Sequence, residues 1–274
     1  MTFLAILPQI DNLLPPKAVI SIIKHDLMVK HIYKIIAVML LIYAMIAGLT
    51  MSFPNMGNLG HSQRNIFYHV PMWFTTIVMM GISVFQSVKF LRMIDPDYEK
   101  IESPLIADIK AVEAAKIGLA FNFLGLITGI IWSRVSWNAH LPSSNVDAWW
   151  GWDPIQICGL VSLLIYGGYF LLRSSFEDAE QKAKMSAVLN IFAFATLIPL
   201  YFIVPKMFEG LHPTASNSDA GGGSFLAGSK TIGGGQFRMI FWAGIFGFIL
   251  LGIWIYELRI RIQKLGLLLA DEHR

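Results

Sequence analysis

The stretch Ala148-Trp149-Trp150-Gly151-Trp152-Asp153-Pro154 runs straight into the apolar segment 154–173, and this junction decides how the chain is read. Three of the eight tryptophans fall within four positions. An indole joins a greasy ring to one polar N–H, so a cluster of them beside an apolar run suits a water–hydrocarbon boundary. Two readings follow: an aromatic belt at a membrane surface, or a platform that stacks against a flat apolar ligand. Outward from this point the chain holds six apolar runs, near 33–53, 69–91, 115–136, 154–173, 186–204 and 237–258. Each is close to the ~20 residues a helix needs to cross ~30 Å of hydrocarbon. None alternates apolar with polar residues, which argues against a closed barrel. With 55% hydrophobic and 14% charged residues among 274, the composition predicts an all-α, polytopic membrane protein of six transmembrane helices.

The connections divide by charge. Sixteen of the 21 Lys and Arg residues fall on one side, in the N-terminal segment, the second and fourth connections and the tail. The other side holds Arg64, Arg134, Lys206, Lys230 and Arg238. By the positive-inside rule both termini are cytoplasmic and the Trp string faces outward. The chain then divides into a cytoplasmic amphipathic segment 1–32, a six-helix domain 33–258 and a cytoplasmic tail 259–274. Lys17–Tyr33 reads as a basic amphipathic helix lying at the membrane surface. Met1–Ile10 lack the pattern of a secretory signal and are expected in the mature protein. The carboxylates of the inner connections (Glu99, Glu102, Asp108, Glu177, Asp178, Glu180) read as a solvated face, and the Gly-rich piece Ala220–Gly235 as a mobile flap.

Several functions are disfavoured. The single Cys158 cannot build a disulfide framework or a thiolate metal site. No phosphate-cradling Gly loop is present, and the net charge of +3 belongs to one face rather than to a nucleic-acid surface. Within the spans the polar residues Asn122, Thr128 and Asn190 are few and uncharged, so an ion path has little to run on. The two asparagines are expected to bond neighbouring helices, and Pro199 to bend the fifth span.

None of the seven histidines lies in the middle of a span. His69 opens the second span and His212 follows the fifth, both on the side of the Trp string. A haem is a flat apolar plate whose iron takes neutral imidazole from both faces and whose two carboxylates seek water or a cation. His69 and His212 supply a candidate axial pair, Trp149, Trp150 and Trp152 the surface, and Arg64 or Arg134 the cation. Asp153 caps the fourth span, whose first residue is Pro154, by accepting an indole or backbone N–H. His61 and His140 are left as surface residues. A quinol-linked cytochrome would need histidine pairs inside the bundle.

These residues resemble the haem-handling family of cytochrome c maturation, and most closely its short six-span branch, CcmC. Trp149-Trp150-Gly151-Trp152-Asp153 is similar to the family's W-W-x-W-D signature. Phe67-Tyr68-His69-Val70-Pro71 is similar to its segment bearing one axial histidine, Leu211-His212 stands in the place of the other, and Leu126–Trp132 matches the end of its third span. There are two departures. Val146-Asp147 replace a Trp-Gly pair, whose role falls to Trp137 if Asn138–Val146 is an insertion, and Ile155 replaces an Arg; both bear on how the propionates are held. The resemblance implies haem b (iron protoporphyrin IX) as cargo, with Trp132 and Trp137 added to its surroundings. It implies a bacterial cytoplasmic membrane with the working face periplasmic, rather than a mitochondrial inner membrane. It also implies delivery to a periplasmic haem chaperone (CcmE-like). Further partners are an ABC-type ATPase and permease, a small single-span adaptor (CcmD-like) and membrane lipid. Two alternatives stay open: a haem lyase that attaches haem to apocytochrome, and a non-haem permease subunit.

Overall fold

The computed structural model describes residues 16–52, 62, 64–95, 103–137, 149–212 and 235–272. Their regular structure is helical, with no strand among the described residues. The helices are α1 (Pro16–Thr50), α2 (Ile66–Met93), α3 (Pro104–Trp137), α4 (Pro154–Ser175), α5 (Ala179–Ile198), α6 (Val204–Met207) and α7 (Gly235–Glu272), with a π-helical turn at Pro199–Ile203 joining α5 to α6. Among the described residues six helical rods are long and apolar enough to cross a membrane, and α5, the π-turn and α6 together form one of them. His61, His140 and most of the Gly-rich piece lie outside the described residues.

Packing is centred on α2, which touches α1, α3, α5 and α7. The polarity of the bundle is that of a membrane protein. Ile35, Met39, Ile46, Phe85, Leu171 and Phe192 point outward, while Thr75, Thr76, Ser83, Asn122, Ser162 and Asn190 are buried. In lipid, apolar side chains gain nothing by leaving the surface, so small and hydrogen-bonding residues collect between helices instead. Asn190 Nδ2 donates to Ser83 Oγ at 2.7 Å and Ser87 Oγ at 2.9 Å, and Ser83 Oγ donates to the Ala111 carbonyl at 2.7 Å, which joins α5, α2 and α3. Asn122 Nδ2 donates to Ser162 Oγ at 2.7 Å and to the Tyr201 hydroxyl at 3.0 Å, joining α3, α4 and the π-turn. Both asparagines thus bond neighbouring helices as expected.

Two features differ from the sequence expectation. The segment from Lys17 to Tyr33 belongs to the same continuous helix as the first span. The second connection ends at Pro104, so Asp108 and Glu113 lie inside α3, where they are buried rather than solvated. Each is paired with a cation from another helix. Arg173 of α4 grips Asp108 with two bonds, of 2.9 and 2.6 Å. Glu113 receives Arg259 of α7 at 2.7 Å and Lys116 at 2.7 Å. These pairs tie α3, α4 and α7 at the basic end of the bundle. At a rise of ~1.5 Å per residue they stand roughly 30 Å along α3 from Trp132.

Arg173→Met leaves the Asp108 carboxylate buried without its cation, and we expect a loss of ~3–5 kcal/mol. The check is thermal unfolding in detergent, where adding Asp108→Asn to the same protein recovers most of the loss.

Candidate functional site: a histidine- and indole-walled cavity

The site begins with the first turns of α2. His69 and Trp73 are one helical turn apart, so both side chains leave the same face, toward α3. Opposite them α3 presents Gly125 and Gly129, at the same spacing. A Cβ at Gly129 would stand 2.8 Å from His69 Cε1, and one at Gly125 3.0 Å from Trp73 Cε2. The two rings therefore lie in a groove that only missing side chains provide. His69 Nδ1 is 3.1 Å from Thr128 Oγ1, and Trp73 Nε1–H donates to His69 Nε2 at 3.2 Å.

The other wall comes from the end of the fifth span. Proline removes a backbone donor and crowds the preceding turn, and here the helix answers with π geometry at Pro199–Ile203. Tyr201 on this turn meets Trp73 edge to face, with ring centres 5.3 Å apart. Beyond Met207 the chain reaches His212, whose ring centre is 6.4 Å from that of His69 and 6.4 Å from that of Trp132. Trp132 in turn meets Trp137 edge to face at 6.0 Å.

Asp153 fastens this segment. It is buried; one carboxylate oxygen accepts the Ile155 N–H at 2.9 Å as the cap of α4, and the other accepts the Leu211 N–H at 2.9 Å. One side chain thus ends the Trp string, starts a helix and holds the residue next to His212. His212 keeps some exposure, yet the protein around its ring withholds water and pushes its pKa down to about 4. It is neutral at physiological pH, the state in which an imidazole binds metal.

Together these residues enclose a cavity of about 480 Å³, lined by His69, Trp73, Trp132, Trp137, Tyr201 and His212 among others. Two imidazoles that grip one metal from opposite sides, each through a bond of about 2.0–2.1 Å, have ring centres roughly 6 Å apart. The 6.4 Å between His69 and His212 matches that span. Trp137 is 4% exposed, and its indole N–H has no partner among the described residues. The donor set fits a flat apolar metal complex: two neutral nitrogens, indole walls and one unmatched N–H for an acceptor on the plate.

Other residues of interest stand elsewhere. Trp149 and Trp152 are 57% and 75% exposed, and neither they nor Trp150 lines the cavity. Trp150 and Trp152 meet edge to face at 6.1 Å. Trp152 has a positive φ of 53°, a conformation costly for a side chain that bulky. Arg134 lies over the Trp149 ring at 4.3 Å, and Arg64 donates to the Gly48 carbonyl, near the end of α1, at 2.9 Å. Reasoning from sequence missed Trp73, Gly125, Tyr201 and Lys206, all of which line the cavity. The available signal was the His-x-x-x-Trp spacing on α2 facing Gly-x-x-x-Gly on α3.

Fold and site define a polytopic membrane protein with a dihistidine, indole-walled cavity at the end of the bundle opposite its buried ion pairs. The chain belongs to the CcmC family: the family's sequence profile, described as heme exporter protein C, matches residues 11–262. Curated relatives bear the same description. The chain is 30% identical to the one from Bradyrhizobium diazoefficiens over 165 residues, which is 60% of this chain and only 56% of that protein. With the relative from Paracoccus denitrificans it shares 27% over 219 residues, 78% of this chain and 80% of the relative. With that of Escherichia coli K12 it shares 25% over 203 residues, 74% and 70% respectively.

Asp153→Ala removes both acceptors. We expect a loss of about 1–3 kcal/mol in thermal stability and faster hydrogen exchange at the Leu211 amide, with the basic end of the bundle unaffected. The second prediction concerns pH. His212 takes up a proton near pH 6.5 when unfolded but only near 4 when folded, so its contribution to stability is full above 6.5 and declines as pH falls toward 4. Thermal midpoints between pH 7 and 4.5 check this, and His212→Gln should flatten the profile in that window.

Proposed function

We propose that this chain holds haem b between His69 and His212 and delivers it to a periplasmic haem chaperone during c-type cytochrome maturation. The observation that carries the reading is the pair of imidazoles from separate elements, 6.4 Å apart, inside a cavity walled by indoles. Membership of the CcmC family and relatives described as heme exporter protein C support it. The haem is cargo, so the site must grip and then release. Neutral imidazoles bind the iron, and Trp73, Trp132 and Trp137 keep water from the plate. Lys206 lines the same cavity and is a cation for a propionate, beside the candidates Arg64 and Arg134.

In this reading Asp153 is the latch that keeps His212 in reach, and Trp149, Trp150 and Trp152, outside the cavity lining, form the surface met by the haem edge and the chaperone. Residues 33–258 form the haem-handling domain, between a cytoplasmic segment 1–32 and a tail 259–274. The protein sits in the bacterial inner membrane with the cavity toward the periplasm. An ABC-type ATPase and permease and a single-span adaptor complete the machinery.

The test is the visible spectrum of the purified protein. We expect a six-coordinate bis-imidazole spectrum that His69→Ala and His212→Ala each abolish or broaden and His140→Ala leaves intact. Three unchanged spectra would refute the axial pair. Replacing Trp149, Trp150 and Trp152 together should reduce haem retention and transfer to the chaperone while membrane insertion is normal.

A further inference from the structure

Hydrogen positions around His69 follow from its partners. Thr128 Oγ1 has one proton and directs it into its own helix, toward the carbonyls of Leu124 at 2.9 Å and Gly125 at 3.0 Å. With that proton so engaged, its oxygen is open to accept from an Nδ1–H of His69 at 3.1 Å. The Trp73 indole can only donate, so His69 Nε2 is the bare nitrogen. The indole thus selects the tautomer, and Thr128 as an acceptor agrees with it. The His69 Nε2 lone pair is the one a metal would take, and Trp73 Nε1–H already points at it.

We propose that Trp73 is a positioning residue that competes with the iron for His69 Nε2, making His69 the yielding side of the grip. The inference rests on the haem-holding reading above. Exchange breaks one N–H···N hydrogen bond and forms one metal–nitrogen bond; the indole and Nδ1 keep their protons, and no electron moves. The Trp73 ring is confined between Gly125 and Gly159, with Tyr201 against it. Tyr201 is itself anchored by its hydroxyl, which donates to Ser162 Oγ at 2.7 Å and accepts from Asn122. A displaced Trp73 N–H therefore stays near the nitrogen it gave up, ready to recapture it when the iron–imidazole bond stretches. A cargo protein benefits from such a built-in rival, since it lowers affinity without removing a ligand. A net hydrogen bond of ordinary strength corresponds to about 2- to 10-fold.

The experiment uses the full chain in detergent. Haem loss to excess apomyoglobin is timed for the unmodified protein, for Trp73→Phe, and for a protein with benzothienylalanine at 73, which keeps the indole shape without the N–H. Nitrogen-15 shifts of labelled histidine in the haem-free protein report the His69 tautomer, with Thr128→Val as reference. We expect haem loss about 2- to 10-fold slower in both position-73 proteins, and a bare Nε2 whose shift changes when the N–H is removed. Haem bound with equal or faster loss from the benzothienyl protein overturns the competition alone, as does a proton found on Nε2. No haem spectrum in the unmodified protein overturns the haem-holding reading, and the competition with it; the nitrogen shifts then still report the Trp73–His69 contact by itself.

Discussion

An imidazole can lie between two membrane helices only if one helix gives up its side chains and the ring's polar nitrogens both find partners. Here α3 does both. Gly125 and Gly129 open the groove for Trp73 and His69, and Thr128, one residue before Gly129, supplies the polar contact. Buried polar atoms left unmatched in hydrocarbon cost several kcal/mol, on the order of 2–7, so the groove and its hydrogen bonds belong to one structural unit. The cavity exists because two large rings are drawn to one side of α2, leaving the space that His212 closes from across.

The rest of the bundle serves to keep that unit still. Serine–asparagine contacts join α2, α3, α4 and α5 through the middle, and buried carboxylates clamp α3 to α4 and α7 at the far end. The site end is held differently. There a single carboxylate, Asp153, bridges a helix start and the backbone beside His212. The end that carries His69 and His212 depends on that cap, on side-chain hydrogen bonds such as Gln156 to Ser133 and Asn65 to the Thr128 carbonyl, and on edge-to-face ring contacts.

Much of this could be read from one dimension. Apolar runs of span length predicted all six rods, and the asparagines within them announced their interhelical bonds. The Trp string with Asp153 and Pro154 marked a capped helix start, and the structure adds that the same carboxylate reaches 58 residues along the chain to Leu211. What was not legible depended on partners remote in sequence. Asp108 read as solvated because its partner, Arg173, lies 65 residues away. Which indoles line the cavity and which face outward depends on the backbone at Trp149–Asp153, with its positive φ at Trp152, and that leaves no residue pattern. Trp73 was overlooked because a tryptophan inside an apolar run is ordinary core material until its N–H is found on a histidine.

The π-turn at Pro199–Ile203 has a consequence for how the family can vary. A widened turn carries one residue more than the α-helical path needs, which rotates everything after it by roughly 100° about the rod. Tyr201 and Pro205 reach the cavity wall in that rotated phase. Loss of a single residue there would return the segment after it to the phase of a plain α-helix, with nearly unchanged hydropathy. It would also swing the downstream face from the cavity toward lipid, carrying the approach to His212 with it. A one-residue deletion that hydropathy barely registers would thus remove one wall of the site, which makes the length of this short segment as constraining as the identity of its side chains.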